Sequence, residues 1–348
     1  MRGAWWRLAL LIVAAGAAAI PLPETTVERL YANGAYPAVQ PIVTTLTNAI
    51  PFAILDLLIL AAIAWVIWRA RVRARDVGIA RMRRAIAFGA DLVAFAALAY
   101  LSFLVLWGLN YRRLSADARF AVDVKSISED RLRLASAHAG EAVNALHAPA
   151  SASQMDEREV LASAFARALQ RLPAHWQPVA GRPKRSLVAR LFPLGGVDGM
   201  MNPWGLEVVL NPEVLPFERP FVLAHEWAHL AGHAAESDAS FVAWLACLEG
   251  GRDLQYSGWL SIYLHLVRAL PPADRVTALE RLAPGPRRDL ESIRRRLEHA
   301  QPLVQGAAWR AYDQYLRANR VESGIANYDA VTRLVLGSRY GRDHLTVR

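Results

Sequence analysis

Residues 221–241, FVLAHEWAHLAGHAAESDASF, hold two histidines four apart, His225 and His229, with Glu226 directly after the first. At helical spacing, positions i and i+4 share a face, so both imidazoles can reach one Zn²⁺ while Glu226 lies beside the open position of the metal. The chemistry this suits is hydrolysis by an activated water, with a glutamate as base. Phe217 to Leu230 predicts one helix, with Pro220 near its first turn and Gly232 past its end. A catalytic zinc needs a third protein ligand. The spacing HExxHxxGxxH would put a histidine at position 235, which is Ala235. Glu236, opening the second predicted helix ESDASFVAWLACLEG, is the expected third ligand. His233 is the competitor at i+4 from His229, with Gly232 expected to break the helix between them.

The arrangement HExxH followed by Glu-x-x-Ala and an aromatic resembles the gluzincins, including membrane-bound CAAX-prenyl-protease-like peptidases, in which the second glutamate ligates zinc. Four pieces also resemble the bacterial membrane-protein family known as domain of unknown function 3810. They are YPAVQPIVTTLTNAIPFAILDLL (36–58), LWGLNYRR (106–113), AHEWAHLAGHAAESDASFVAWLAC (224–247) and YSGWL (256–260). In that family's pattern an acidic residue and an asparagine stand near Asp238 and Ser240, and an aromatic near His233. Asp238 fits, whereas Ser240 and His233 depart and leave the triad intact. The resemblance implies a mainly α chain: N-terminal transmembrane helices, then an α+β zincin-like (gluzincin) extracytoplasmic domain with a small sheet.

The elements that must position the motif begin in a membrane. The chain has 348 residues, of which 54% are hydrophobic, and a mean hydropathy of +0.17. The apolar excess lies in three runs, read as spans at about 5–22, 50–68 and 85–109. The first also has signal-peptide features, and the resemblance favours its retention. Between the second and third runs, residues 69–84 carry seven arginines against Asp76, which marks that loop as cytoplasmic. It supplies +6 of the formal net charge of +9, so the basic balance reports topology and nucleic acid is not an expected partner. Asp56 and Asp91 stand inside the runs, where packing or interfacial solvation is expected for each and a mutual pair is not.

Residues 1–112 therefore read as a membrane region and 113–348 as an extracytoplasmic metallopeptidase domain, in a multi-pass protein of the bacterial inner membrane with the catalytic domain on the periplasmic side. The lone Cys247 permits no internal disulfide and reads as core. Helices are expected from near Ser128, from near Ser153 and over Ser257 to Leu270, and a solvated helix face over Arg287 to Glu298. Ser186 to Phe192 and Leu206 to Leu210 have strand character, the latter the candidate edge for pairing with an extended substrate.

The expected activity is peptide hydrolysis at Zn²⁺ held by His225, His229 and Glu236, with Glu226 as general base and a peptide or protein as substrate. Tyr256, His265, Tyr312 and Tyr328 are unranked candidates for the oxyanion donor. The alternatives are a non-catalytic zinc or envelope-assembly module and an intramembrane protease. The presence of Glu226 weighs against the first, and the charges at Glu213, Glu218, Arg219, Glu236 and Asp238 weigh against the second.

Overall fold

The computed structural model of the chain describes residues 2–75, 78–148, 157–173, 176–306, 310, 314 and 328–345. Alanine and leucine are the commonest residues of the first hundred, and such strong helix formers wind into α1 (Arg2–Ala19), α2 (Tyr36–Asn48), α3 (Ile54–Arg75) and α4 (Arg81–Leu106). Among the described residues, α4 is the one helix that is by itself long and apolar enough to cross a membrane. Trp5–Ala19 and Glu24–Asn48 pass the same test together, but are bent by 109°. Pro21 and Pro23 at that bend cannot donate to a helical ladder, so α1 stops at Ala19 instead of reaching residue 22. The apolar part of α3, Ile54 to Trp68, is about 22 Å long and shorter than a bilayer core.

The arginine-rich loop expected over 69–84 needs correction, because it is helical to Arg75 and again from Arg81. Arginine and alanine favour helix, and Arg69 and Arg73, one turn apart on α3, both reach Asp91 of α4, at 2.5 and 2.9 Å. Arg7 of α1 meets the same carboxylate at 2.5 Å. Asp91, only 4% exposed, is thus an ionic hub joining three helices and not a solvated interfacial residue. Asp56 instead accepts from Ser186 Oγ (2.8 Å) and the Leu187 amide (2.7 Å). Leu57, Leu60 and Ile63 of α3 and Ile86, Leu98 and Val105 of α4 remain exposed.

The rest of the chain packs α5 (Glu129–Leu146), α6 (Glu157–Arg171), α7 (Arg219–Leu230), α8 (Glu236–Leu248) and α9 (Arg252–Ala269). Ser128 caps α5 by accepting from the Arg131 amide at 3.2 Å, while the start expected near Ser153 lies outside the described residues. Every residue of α8 from Ser237 to Cys247 is buried, between α7, α6 and α9. Burial pushes the Cys247 thiol far above its usual range, so it stays neutral. Tyr36, Phe103, Leu104 and Trp107 of the N-terminal region share one core with Trp227, Phe241 and Trp244.

A three-stranded sheet, β1 (Pro183–Lys184), β2 (Gly199–Asn202) and β3 (Glu207–Leu210), has the order β1-β3-β2. β1 runs parallel to β3, and β2 antiparallel to it with Gly199 opposite Leu210 and Asn202 opposite Glu207. Two expectations are overturned here. Ser186 to Phe192 is not a strand: Ser186 Oγ accepts from the Val188 amide and starts a helical turn over Val188–Leu191. Leu206 to Leu210 is not an edge, because β3 is paired on both sides; the edge beside α7 is β2. Leu206 itself takes a left-handed φ of 43°. Full burial of its side chain and the bond from Thr44 Oγ1 to its carbonyl (2.8 Å) hold it there.

The sheet is bolted to α3. The fully buried Glu207 accepts from the Ile54 and Leu55 amides at 3.0 and 2.9 Å, placing a carboxylate on that helix's N-terminus. Arg296, in the helix Pro284–Leu297, is buried against Glu218 (2.8 Å) and Asp198 (2.7 Å), so that helix is not solvated on every face. Those two bonds hold the start of α7 beside the start of β2.

Candidate metal centre

α7 carries His225 and His229 on one face, and its ending decides where the second imidazole points. Gly232 adopts φ +86°; its amide bonds to the His229 carbonyl (2.9 Å) and the His233 amide to that of Ala228 (3.0 Å), a Schellman closure. A Cβ at Gly232 would lie 2.9 Å from Asn110 Oδ1. The helix-end carbonyls also receive donors from the N-terminal region. Tyr36 OH donates to Leu230 O (2.8 Å), Trp107 Nε1 to His229 O (2.9 Å) and an Arg113 guanidinium N–H to Gly232 O (3.0 Å).

The turn returns the chain so that Glu236, first residue of α8, faces α7. His225 Nε2 lies 3.0 Å from one Glu236 carboxylate oxygen, and His229 Nε2 lies 3.5 Å from the other. The two imidazoles are perpendicular, with centroids 4.8 Å apart. One donor atom from each of the three residues falls within 4.8 Å of the others. Two ligands at zinc distances on a tetrahedron are about 3.3 Å apart, so the spacing fits. The tautomers fit as well: His229 Nδ1 donates to the His233 carbonyl at 2.8 Å, leaving Nε2 as the lone-pair nitrogen. Ser240 Oγ lies 3.2 Å from His225 Nδ1.

His233, the competitor, is turned away. Its buried ring stacks on Phe120 with centroids 5.8 Å apart, and its Nδ1 is 3.2 Å from Arg119. Arg119 also pairs with the buried Asp238, pinning the connection that delivers Glu236. Burial, with Arg119 and Arg113 nearby, keeps the His233 imidazole well below its usual pKa.

Glu226 is 4% exposed, and its Oε2 has no hydrogen-bond partner among the described residues. Its Oε1 lies against β2, where a Cβ on Gly199 would sit 2.6 Å away. Burial raises its pKa to about 7, opposed by His225 and His229. Desolvation likewise opposes ionisation of Glu236, yet the imidazoles hold it well below the carboxylate range. Burial would lower His229, but Glu236 raises it to about 9. A basic carboxylate with a spare lone pair thus stands beside two nitrogens and a carboxylate that attract one another across an interval the size of a cation.

Of the oxyanion candidates, Tyr256 is engaged elsewhere, donating to Asp289 at 2.5 Å. His265 feels His225: burial, Arg268 and His225 together lower it to about 4. Tyr312 and the Tyr328 side chain lie outside what is described. Sequence reasoning missed Tyr36, Trp107, Asn110 and Arg113 as supports. They carry no spacing signature, although each lies within one of the pieces 36–58 and 106–113.

The sequence pattern of a family described as "Protein of unknown function (DUF3810)" matches residues 31–336. No curated protein and no solved structure matches the chain.

Proposed function

Starting from a chain that belongs to the DUF3810 family across residues 31–336, we propose a membrane-anchored zinc metallopeptidase of gluzincin type that hydrolyses peptide bonds outside the cytoplasmic membrane. The observation that carries this reading is the Glu226 carboxylate, buried and with Oε2 unpartnered, beside the His225, His229 and Glu236 donors. A group kept only for packing has no need of an unsatisfied buried oxygen. His225 and His229 would hold Zn²⁺ through Nε2 and Glu236 through its carboxylate. When bound, the ion supplies Lewis acidity and lowers the pKa of water toward neutrality. Glu226 Oε2 takes the proton of the attacking water and delivers it to the leaving amine. The Nδ1–H bond to the His233 carbonyl keeps the His229 ring oriented throughout.

The topology supports the same reading. Arginines 69 to 84 gather at one end of α4 and Trp107 follows the other, about 39 Å away along the helix axis. By the positive-inside rule the arginine end is cytoplasmic and the Trp107 end, with α7 behind it, lies outside. Glu226→Gln tests the activity, since it keeps size and hydrogen bonding but removes the base. The variant should hold about one zinc per chain, as wild type does, while turnover drops by about 10² or more. N-terminal profiling of envelope proteins from cells carrying either form should show cleavage products that require Glu226. Loss of zinc on the Gln change would make Glu226 structural, and undiminished turnover would sink the mechanism.

A further inference from the structure

Both ends of the β2 edge that carries no strand among the described residues are tied to places that matter, with Gly199 and Met200 half-buried and Met201 and Asn202 buried. The Asn211 amide donates to the Asp198 carbonyl, so in the antiparallel register bonded pairs alternate on through Met200 and Asn202. The backbone N–H and C=O groups of Gly199 and Met201 therefore point to the side that carries no strand among the described residues. At its Gly199 end the strand lies against the Glu226 carboxylate, which a Cβ there would meet at 2.6 Å. At its other end the hairpin tip leans on the apolar helix: Trp204 Nε1 donates to Ser102 Oγ at 3.2 Å, and its ring lies 6.1 Å from that of Phe103. Ser102 sits about 6 Å before the end of α4, which puts Trp204, still 39% exposed, at the level where tryptophans sit in bilayer interfaces. The metal group stands near the same helix end, since Trp107 directly follows α4 and its ring is 6.2 Å from that of His229.

Resting on the metallopeptidase reading, we propose that the substrate class is polypeptides anchored in the same membrane, bound as a further strand on β2 and cut just outside the bilayer. An extended chain on this edge passes from the bilayer surface to Glu226. Four strand residues separate Trp204's end from Gly199, about 13 Å, so the cut falls about 4 to 6 residues beyond the membrane-spanning segment. Antiparallel pairing is the more stable arrangement per residue and directs the chain from the membrane toward Glu226. The anchor therefore lies N-terminal to the scissile bond. Water adds across the amide: its hydroxyl joins the carbonyl carbon, the C–N bond breaks, and the proton passes through Glu226 to the leaving nitrogen.

The test uses the full-length zinc-loaded protein in liposomes with one library of randomised segments in three contexts. The segments follow a transmembrane helix directly, follow it after about 20 Gly and Ser residues, or are free in solution. Directly tethered segments should be cut on the order of 10²-fold faster than free ones, at about 4 to 6 residues from the helix, and the long spacer should abolish the fixed position. Equal, Glu226-dependent cleavage of free and tethered segments would overturn the proposal and leave the peptidase reading standing. No Glu226-dependent cleavage in any context would overturn both.

Discussion

At the scale of single residues, the arrangement turns on contacts that a methyl group can disturb. Gly199 leaves room for Glu226, and Gly199→Ala would drive a Cβ to within 2.6 Å of its Oε1. The clash is with a buried carboxylate, which must leave its position to relieve it. Turnover should fall by about 10² with zinc content unchanged, as metal analysis alongside kinetics will show. Tyr256→Phe should leave turnover unchanged, since the Tyr256 hydroxyl is spent on Asp289; a large loss in steady-state kinetics would return Tyr256 to the oxyanion role.

At the scale of elements, the end of α7 positions His229. Gly232 is required for its positive φ and for the close approach of Asn110, so Gly232→Ala should cost about 1–3 kcal/mol. It should weaken zinc binding as well, which separates it from a change that only loosens the fold; thermal unfolding and zinc titration read the two. The brace behind this turn is pH-dependent. Desolvation would raise the Glu28 carboxyl, but Arg113, bonded to it at 2.9 and 2.6 Å, lowers it below its ordinary value of 4.5. A depressed carboxylate contributes stability that is complete above its unfolded pKa and lost as pH falls through its folded pKa. Glu28→Gln should therefore cost about 1–3 kcal/mol at neutral pH, and its gap to wild type should close as pH falls below about 4. A gap independent of pH would mean that the ion pair contributes nothing there.

At the scale of the whole molecule, α1, α3 and α4 are joined through Asp91 and its three arginines. Asp91→Asn leaves those guanidiniums without their shared counter-charge and should destabilise the detergent-solubilised protein by about 3 kcal/mol, measured as a lower denaturation midpoint. Orientation is checked by fusion: a reporter active only outside the cytoplasm should work after Arg113 and fail near Gly78. The reverse pattern would put the metal centre on the wrong side for the proposed substrates.

His225, Glu226 and His229 are legible in the chain because helical spacing is local: i and i+4 share a face whatever surrounds them; Glu236 is legible because it opens the next helix just past the glycine stop. The α7 helix, its glycine stop, the helix begun by Ser128 and the apolar α4 are legible for the same reason, each resting on neighbours within one or two turns. What the tertiary structure alone decides is non-local. Strand order made β2 and not β3 the open edge, since pairing depends on chain segments that composition does not rank. Ser186 to Phe192 leaves the strand where Asp56, 130 and 131 residues away, receives the Ser186 hydroxyl and the Leu187 amide. Arg69 and Arg73 are held against α4 by a carboxylate 22 and 18 residues away. The supports of α7 come from Tyr36, Trp107 and Arg113, whose partners are 194, 122 and 119 residues distant. No periodicity spans such separations; only the folded chain brings those donors to the carbonyls that need them.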